Sequence, residues 1–268
     1  MTTTQPSPDI ETAMTGLTAS APPSLRPNVL VETGLADRYA AIDSPIGPLF
    51  VAWNGRGVAL VDTATDDLEA FATRHRATTG RPAYRADALP PALADKIERR
   101  LAGDRRVRID LDLRGHSDFE QDVWRKALEI PRGEVRPYGW VAAEIGRPRA
   151  VRAVGTALGH NPVPLIVPCH RVVRIDGSIG QYSLGGPENK RTILAAEGLD
   201  PEVMEDAARR GERLIGCAST HIVCWPSCHT GRRMLPRNRR PFRSLADAAD
   251  AGYRPCMVCR PVAVPTAA

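Results

Sequence analysis

Four cysteines in two tight pairs constrain this chain more than any other feature: Cys224-x3-Cys228 and then, after 27 residues, Cys256-x2-Cys259. Two short-spaced pairs on either side of a loop bring four sulfurs to one point, the tetrahedral arrangement that zinc favours. Soft thiolates exclude calcium and magnesium; a redox cluster is a weaker reading, and a disulfide-stapled module a further one. Cys217, His221 and His229 are nearby alternative ligands, although four cysteines suffice. A segment of about 60 residues buries only a modest core, so one bound zinc would supply much of its folding free energy.

Charge is distributed as unevenly as cysteine. The 268 residues carry a formal +5, but 207–268 alone hold 11 arginines against 3 acids, while 1–206 are net −3. A basic end points to a polyanionic partner, although a small solvated basic domain has the same composition. No apolar run approaches the ~18–20 residues that cross a bilayer, so no membrane partner is expected. Residues 1–30 carry one arginine and no apolar h-region, which reads as no signal peptide and a cytoplasmic chain with reduced thiols.

The length suggests two domains. Residues 1–33, rich in Thr, Ser, Pro and Ala, read as a disordered tail. Within 34–113, short apolar runs Arg38–Asp43, Pro48–Trp53 and Gly57–Asp62 are broken by turn signals, which predicts an antiparallel meander. Helices are predicted over Asp66–Thr78 and Pro91–Ala102, and alternation predicts a strand over Arg106–Leu113. This is an α/β unit. Residues 114–199 read as mainly helical, with helices over Asp118–Ile130, Tyr138–Gly146 and Ala150–Gly159. The last two, joined at Arg147-Pro148-Arg149, form a helix-turn-helix pattern; any helical hairpin is the alternative.

The solitary Cys169 lies in Asn161-Pro-Val-Pro-Leu-Ile-Val-Pro-Cys169-His170-Arg-Val-Val173, a stiff apolar stretch with three prolines. A thiol is a weak nucleophile at pH 7 until a base draws off its proton, and His170 could be that base if an acid orients it. The competing reading is a small buried hydrophobe beside a satisfied histidine.

Five ordered motifs decide between these: Gly133-Glu-Val-x-x-Tyr138, Arg152-Ala-Val-Gly155, Asn161-Pro-Val-Pro164, Pro168-Cys-His-Arg-Val172 and Lys190 to Glu197-Gly198. On them the stretch Phe119–Gly198 resembles the active-site domain of the O6-alkylguanine-DNA alkyltransferases. The resemblance implies that Cys169 accepts the alkyl group from O6 of guanine, or O4 of thymine. His170 would take the thiol proton through a water, with Glu197 orienting the imidazole. Tyr138 would hydrogen-bond the departing base, Asn161 would stabilise the turn before the cysteine, and Arg152 would fill the gap left by the extruded nucleotide. Ser183, in the loop Gly180–Gly186, would lie near O6, and carbonyls of Cys169 and Val172 would read the guanine amine. Lys190, at a helix start, reads as a solvated charge. The implied partner is double-stranded DNA, bound from the minor groove without sequence preference by a bacterial, nucleoid-associated monomer that needs no organic cofactor. Thioether formation would be irreversible, one event per molecule.

Cys224-Trp-Pro-Ser-Cys228 and Ala251-Gly-Tyr-Arg-Pro-Cys-Met-Val-Cys-Arg-Pro261 are similar to the zinc-binding domain of the Ada proteins of the adaptive response. That resemblance implies a small α/β zinc module at 211–262, joined through a linker at 200–210. It makes Cys224 a second acceptor, taking methyl from a methylphosphotriester backbone, with Arg232 and Arg233 on phosphate. His221 stands where a glycine is common in such domains. A structural zinc module that strengthens DNA binding is the competing account. For the whole chain, the alternatives are a Cys-His-Glu hydrolase or transferase and a non-catalytic DNA-damage sensor.

Overall fold

The computed structural model describes residues 25–262. Helix α1 (Leu25–Glu32) leads into strands β1 (Asp37–Ile42), β2 (Leu49–Asn54) and β3 (Gly57–Thr63), which pair antiparallel as a meander. Every residue of β2 is buried because both faces of the sheet are covered. Phe50 and Ala52 point to one side, where Tyr39, Leu60 and Phe71 of helix α2 (Leu68–Thr79) close a small aromatic cluster. Leu49, Val51 and Trp53, on the alternate side, pack into the main core.

Two sequence expectations need correction here, and one strand goes unpredicted. The disordered tail was drawn over 1–33: residues 1–24 lie outside the described residues, but 25–32 form α1, anchored by buried Val31, whose carbonyl accepts from the Gly55 amide at 3.0 Å. A fourth strand, β4 (Ala83–Arg85), pairs parallel to β1 and is too short to show a pattern. The expected strand 106–113 makes only an isolated bridge between Leu111 and Val58. It crosses the very start of β3, where Val58 donates to Asp110 and accepts from Asp112. A Cβ on Gly57 would sit 2.3 Å from the Asp110 carbonyl oxygen, so glycine is required where the two backbones cross.

After α3 (Pro91–Leu101), a Ser117/Glu120 capping box starts α4 (Asp118–Ala127). The Trp124 indole N–H donates to the Ala157 carbonyl at 2.8 Å, tying α4 to the helical hairpin. That hairpin is α5 (Tyr138–Glu144) and α6 (Val151–Gly159); β5 (Arg136–Pro137) runs into α5 and pairs parallel with β6 (Val172–Val173). Helix α7 (Gly186–Ala196) precedes α8 (Pro201–Arg209), which folds back through an Arg191–Glu205 ion pair of 2.6 Å. The last segment builds β7 (Leu214–Cys217), β8 (Ile222–Cys224), α9 (His229–Arg232), β9 (Arg239–Phe242), α10 (Leu245–Asp250) and β10 (Arg254–Pro255), in sheet order β10-β8-β7-β9. Leu214, Val223, Trp225 and Ala248 belong to the same contiguous core as Val123, Val141 and Val167. Among the described residues no helix is long and apolar enough to cross a membrane.

Beneath the first sheet lies a buried polar knot. Asn54 Nδ2 donates to Asp37 Oδ1 (2.5 Å) and Asp112 Oδ2 (2.8 Å), and Arg81 reaches both carboxylates at 3.1 and 3.2 Å. Burial pushes the Asp112 carboxyl up, but hydrogen bonds from Arg114 and Asn54 and the Arg81 charge win, holding it down at about 2 against an ordinary 3.8. Asn54→Ala would leave two buried carboxylates with Arg81 as their one remaining shared donor. We expect a loss of about 2–4 kcal/mol, read as a lower urea midpoint with unchanged slope. Because the folded value lies below the unfolded one, the Asp112 contribution is complete above pH 3.8 and disappears as pH falls through about 2. Asp112→Asn should therefore narrow the stability difference between pH 6 and pH 3.

Candidate functional site

Every residue from Asn161 to Val173 is buried, so this loop is an interior element rather than a surface connection. Asn161 organises it from the end of α6. Its Nδ2 donates to the Val167 carbonyl and to Cys169 Sγ, both at 3.1 Å, while Oδ1 accepts from the Val163 amide at 3.0 Å. Leu165 sits at φ +74°, a left-handed conformation that only these fixed neighbours sustain in a branched residue. Cys169–Arg171 then form one tight helical turn.

His170 directs one ring nitrogen at Glu197. Its Nε2 lies 3.0 Å from Glu197 Oε1, and Nδ1 is buried without a protein hydrogen-bond partner. An anionic carboxylate at Nε2 favours the tautomer with its proton there, leaving Nδ1 as the basic nitrogen. Arg171, to which the sequence reading gave no role, is the second partner of Glu197. Its Nη2 lies 2.6 Å from Oε1, its Nε reaches both oxygens, and its Nη1 donates to the Ile130 carbonyl at 2.8 Å. The Gly133 amide donates to Glu197 Oε2 at 3.1 Å. Burial raises the Glu197 carboxyl, but the hydrogen bonds from His170 and Arg171, with the Arg171 charge, hold it at about 2.

The same burial acts oppositely on base and nucleophile. It lowers His170, against the pull of Glu197, so the imidazole is neutral. It raises Cys169, against the Asn161 hydrogen bond and the Lys190 charge, so the resting sulfur is a thiol. Burial also lifts Tyr138 and Tyr182, with the nearby Cys169 adding to it, and both phenols stay protonated donors.

A cavity of about 220 Å³ opens onto the sulfur, walled by Tyr138, Gly155, Gly159, Cys169, Tyr182 and Ser183. That is below the ~300–1,000 Å³ typical of drug-sized ligands and suits one planar base. Arg152 on α6 and Ser183 in the covering loop are exposed, as are Arg232 and Arg233. Lys190 corrects an expectation: it is fully buried, not solvated, because Nζ donates to the carbonyls of Val172 (2.6 Å) and Gln181 (3.4 Å), and burial lowers it to about 8. A larger, open groove of about 880 Å³, lined by Arg56, Arg100 and Arg108, shares no residue with this cavity.

In the C-terminal segment the four paired cysteines converge, their sulfurs all within 4.8 Å of one another and all four residues buried. Ligands ~2.3 Å from a tetrahedral zinc have sulfurs roughly 3.8 Å apart, so the donor set fits that ion. Thiol hydrogen bonds from Cys224 and Cys259 pull Cys228 down, and the contacts of Cys224 with Cys228 and Cys259 push Cys224 up. His221, His229 and Cys217 lie outside the cluster. His221 adopts φ +49°, which explains why a glycine suits that position. Hydrogen bonds to Ser219 and Thr220 draw the Cys217 thiol to about 7.

Residues 118–199 match the model of the 6-O-methylguanine DNA methyltransferase DNA-binding domain, and 202–262 that of the metal-binding domain of Ada. The chain is 40% identical over 159 residues to the methylated-DNA–protein-cysteine methyltransferase of Mycobacterium bovis, covering 59% of this chain and 91% of that one. The protein of the same name from Salmonella typhimurium is 36% identical over 162 residues, covering 59% and 93%. Among solved structures, that of Mycobacterium tuberculosis OGT in complex with DNA shows 37% identity, covers 60% and 93%, and gives a TM-score of 0.48. On this coverage and identity, the chain belongs to the methylated-DNA–protein-cysteine methyltransferase family and carries an Ada metal-binding module behind the alkyltransferase part.

Proposed function

We propose that this chain repairs alkylated duplex DNA by direct reversal, moving the alkyl group irreversibly from O6 of guanine, or O4 of thymine, to Cys169. The observation that carries the reading is a buried thiol in the wall of a base-sized cavity, with a His170–Glu197 pair behind it and Tyr138 beside it. The working units are 34–113, 114–199 and a zinc module at 211–262, with 200–210 connecting the last two.

A stacked guanine cannot present O6 in line with an interior sulfur, so the nucleotide leaves the stack, at a cost of a few kcal/mol. Exposed Arg152 on α6 fills the space from the minor groove, while Arg232 and Arg233 hold phosphates. The Sγ proton passes through one water to His170 Nδ1, and Glu197 stabilises the imidazolium. Sulfur attacks the alkyl carbon as the C–O6 bond breaks, and the electron pair stays on the guanine. The Tyr138 hydroxyl offsets that charge, Ser183 contacts O6, and the proton held by His170 is returned so that neutral guanine leaves. Asn161 holds the sulfur in line.

One zinc per chain, held by Cys224, Cys228, Cys256 and Cys259, would keep its ligands as thiolates. The same ion would leave Cys224 able to take methyl from a methylphosphotriester. Cys224 has no exposed surface, so transfer there requires local opening of the 224–228 loop.

Incubation with duplex DNA containing O6-methylguanine should add one methyl mass to the Cys169 peptide, once per molecule, and Cys169→Ser should gain none; an unmodified Cys169 would refute the reading. A methylphosphotriester duplex should methylate the Cys224 peptide, and elemental analysis should return one zinc. Glu197→Gln should slow single-turnover transfer by about tenfold or more. Because burial lowers His170 below its ordinary 6.5, the parent rate should stay level as pH falls through 6.5 and drop only when His170 protonates.

A further inference from the structure

The hydrogen bonds from the zinc module to the alkyltransferase part centre on the stretch Gly133–Glu144, with Arg260 also 3.6 Å from Glu129, and each of its two cysteine-pair loops supplies a grip. From the Cys224–Cys228 loop, the Ser227 hydroxyl meets both backbone groups of Val135, accepting from its amide at 2.8 Å and donating to its carbonyl at 3.2 Å. One residue past Cys228, the His229 amide donates to Glu134 Oε1 at 2.9 Å. Glu134 is itself buried, and its other oxygen accepts from buried Arg136. From the Cys256–Cys259 loop, Arg260 pairs with Glu144 at 2.8 Å and lies 5.8 Å from the centre of the Trp140 ring.

The gripped stretch is also what holds the reacting groups. At its start, the Gly133 amide binds Glu197 Oε2, and Arg132 donates to the Glu197 carbonyl. A Cβ on Gly133 would lie 2.9 Å from that carbonyl oxygen and 3.5 Å from the Arg232 guanidinium, so the contact is close on both sides. In its middle, Arg136 and Pro137 pair with Val172 and Val173, directly after the Cys169–Arg171 turn. Next comes Tyr138, in the cavity wall. A shift of Val135 therefore moves the Glu197 support, the β6 end of the cysteine turn and the Tyr138 phenol together.

We propose that the metal-bound 224–229 loop is a working part of the Cys169 site, with Ser227 and the His229 amide acting as positioning groups. Through Glu134 and Val135 they fix the stretch that orients Glu197 and Tyr138 for alkyl transfer. Alkylguanine repair then depends on a folded, metal-loaded module, and not only on residues 114–199. This inference rests on the proposed function of Cys169.

The test uses the full zinc-loaded chain and its Ser227→Ala, Ser227→Thr and Glu134→Gln variants. Glu134 lies outside the metal module, so Glu134→Gln keeps the test open if Ser227→Ala loses zinc. Three quantities are read: amide hydrogen exchange over 133–138, DNA affinity, and the single-turnover rate at saturating O6-methylguanine duplex. We expect faster exchange, unchanged affinity and a rate lower by about fivefold in Ser227→Ala and Glu134→Gln, with recovery in Ser227→Thr. Parent-like rates in both Ser227→Ala and Glu134→Gln would overturn the proposal. So would faster exchange at an unchanged saturating rate, since the loop would then be structural only. A parent chain that leaves Cys169 unmethylated removes the functional reading itself, and is told apart because it precedes any substitution.

Discussion

The carboxylate of Glu197 is the interaction on which the rest of this structure turns. An anion taken out of water is expensive unless its lone pairs are filled, and here the filling comes from two other parts of the chain: the His170–Arg171 turn and the Gly133 amide. That sharing binds the C-terminal end of α7, the cysteine turn and the entry to β5 into one unit. It also fixes polarity. With the anion at Nε2, the imidazole presents Nδ1 as its basic nitrogen, and with Arg171 sharing the charge the carboxylate stays ionised through any physiological pH. Removing one partner leaves the others buried and unbalanced, so the cluster is cooperative rather than a sum of pairs.

Burial then sets the chemistry. A thiol in this position costs little, and a thiolate costs much, so the resting nucleophile is protonated and resists adventitious oxidation. In the proposed reaction the sulfur would be converted to its reactive form by the neutral base with a substrate in the cavity. Lys190 contributes from the other side. Its buried ammonium, held by two carbonyls, lies where it favours negative charge on Cys169 without pairing with it.

The sequence made the chemistry legible and the tertiary supports less so. Helices α4, α5 and α6 follow from apolar spacing, and the four metal cysteines from spacing alone. Cys169, His170 and Glu197 are placed by the resemblance, and the structure sets Glu197 against His170 in the turn that carries Cys169. Arg171 could not be assigned, because a Pro-Cys-His-Arg run does not say which of its side chains turns towards a residue 26 positions on. Lys190 looked solvated because the carbonyls that receive it belong to Val172 and Gln181, in another element and in the covering loop. Helix α1 and strand β4 owe their existence to docking against β1 and its neighbours, which local propensity does not record.

The shared core gives the fusion its thermodynamic meaning. A segment this small cannot bury enough apolar surface alone, and Leu214, Val223 and Trp225 complete their burial in the same cluster that contains Val141 and Val167. Metal binding to the folded module therefore favours the docked arrangement of the neighbouring helices too, since a ligand that binds only one state stabilises everything that state requires. The buried Glu134–Arg136 pair shows how firm that dependence is. It lies at the seam, closed over by the His229 amide, and would face water if the module detached. A linker-joined domain that merely tethered the alkyltransferase to DNA would have no reason to leave such a pair for its neighbour to cover.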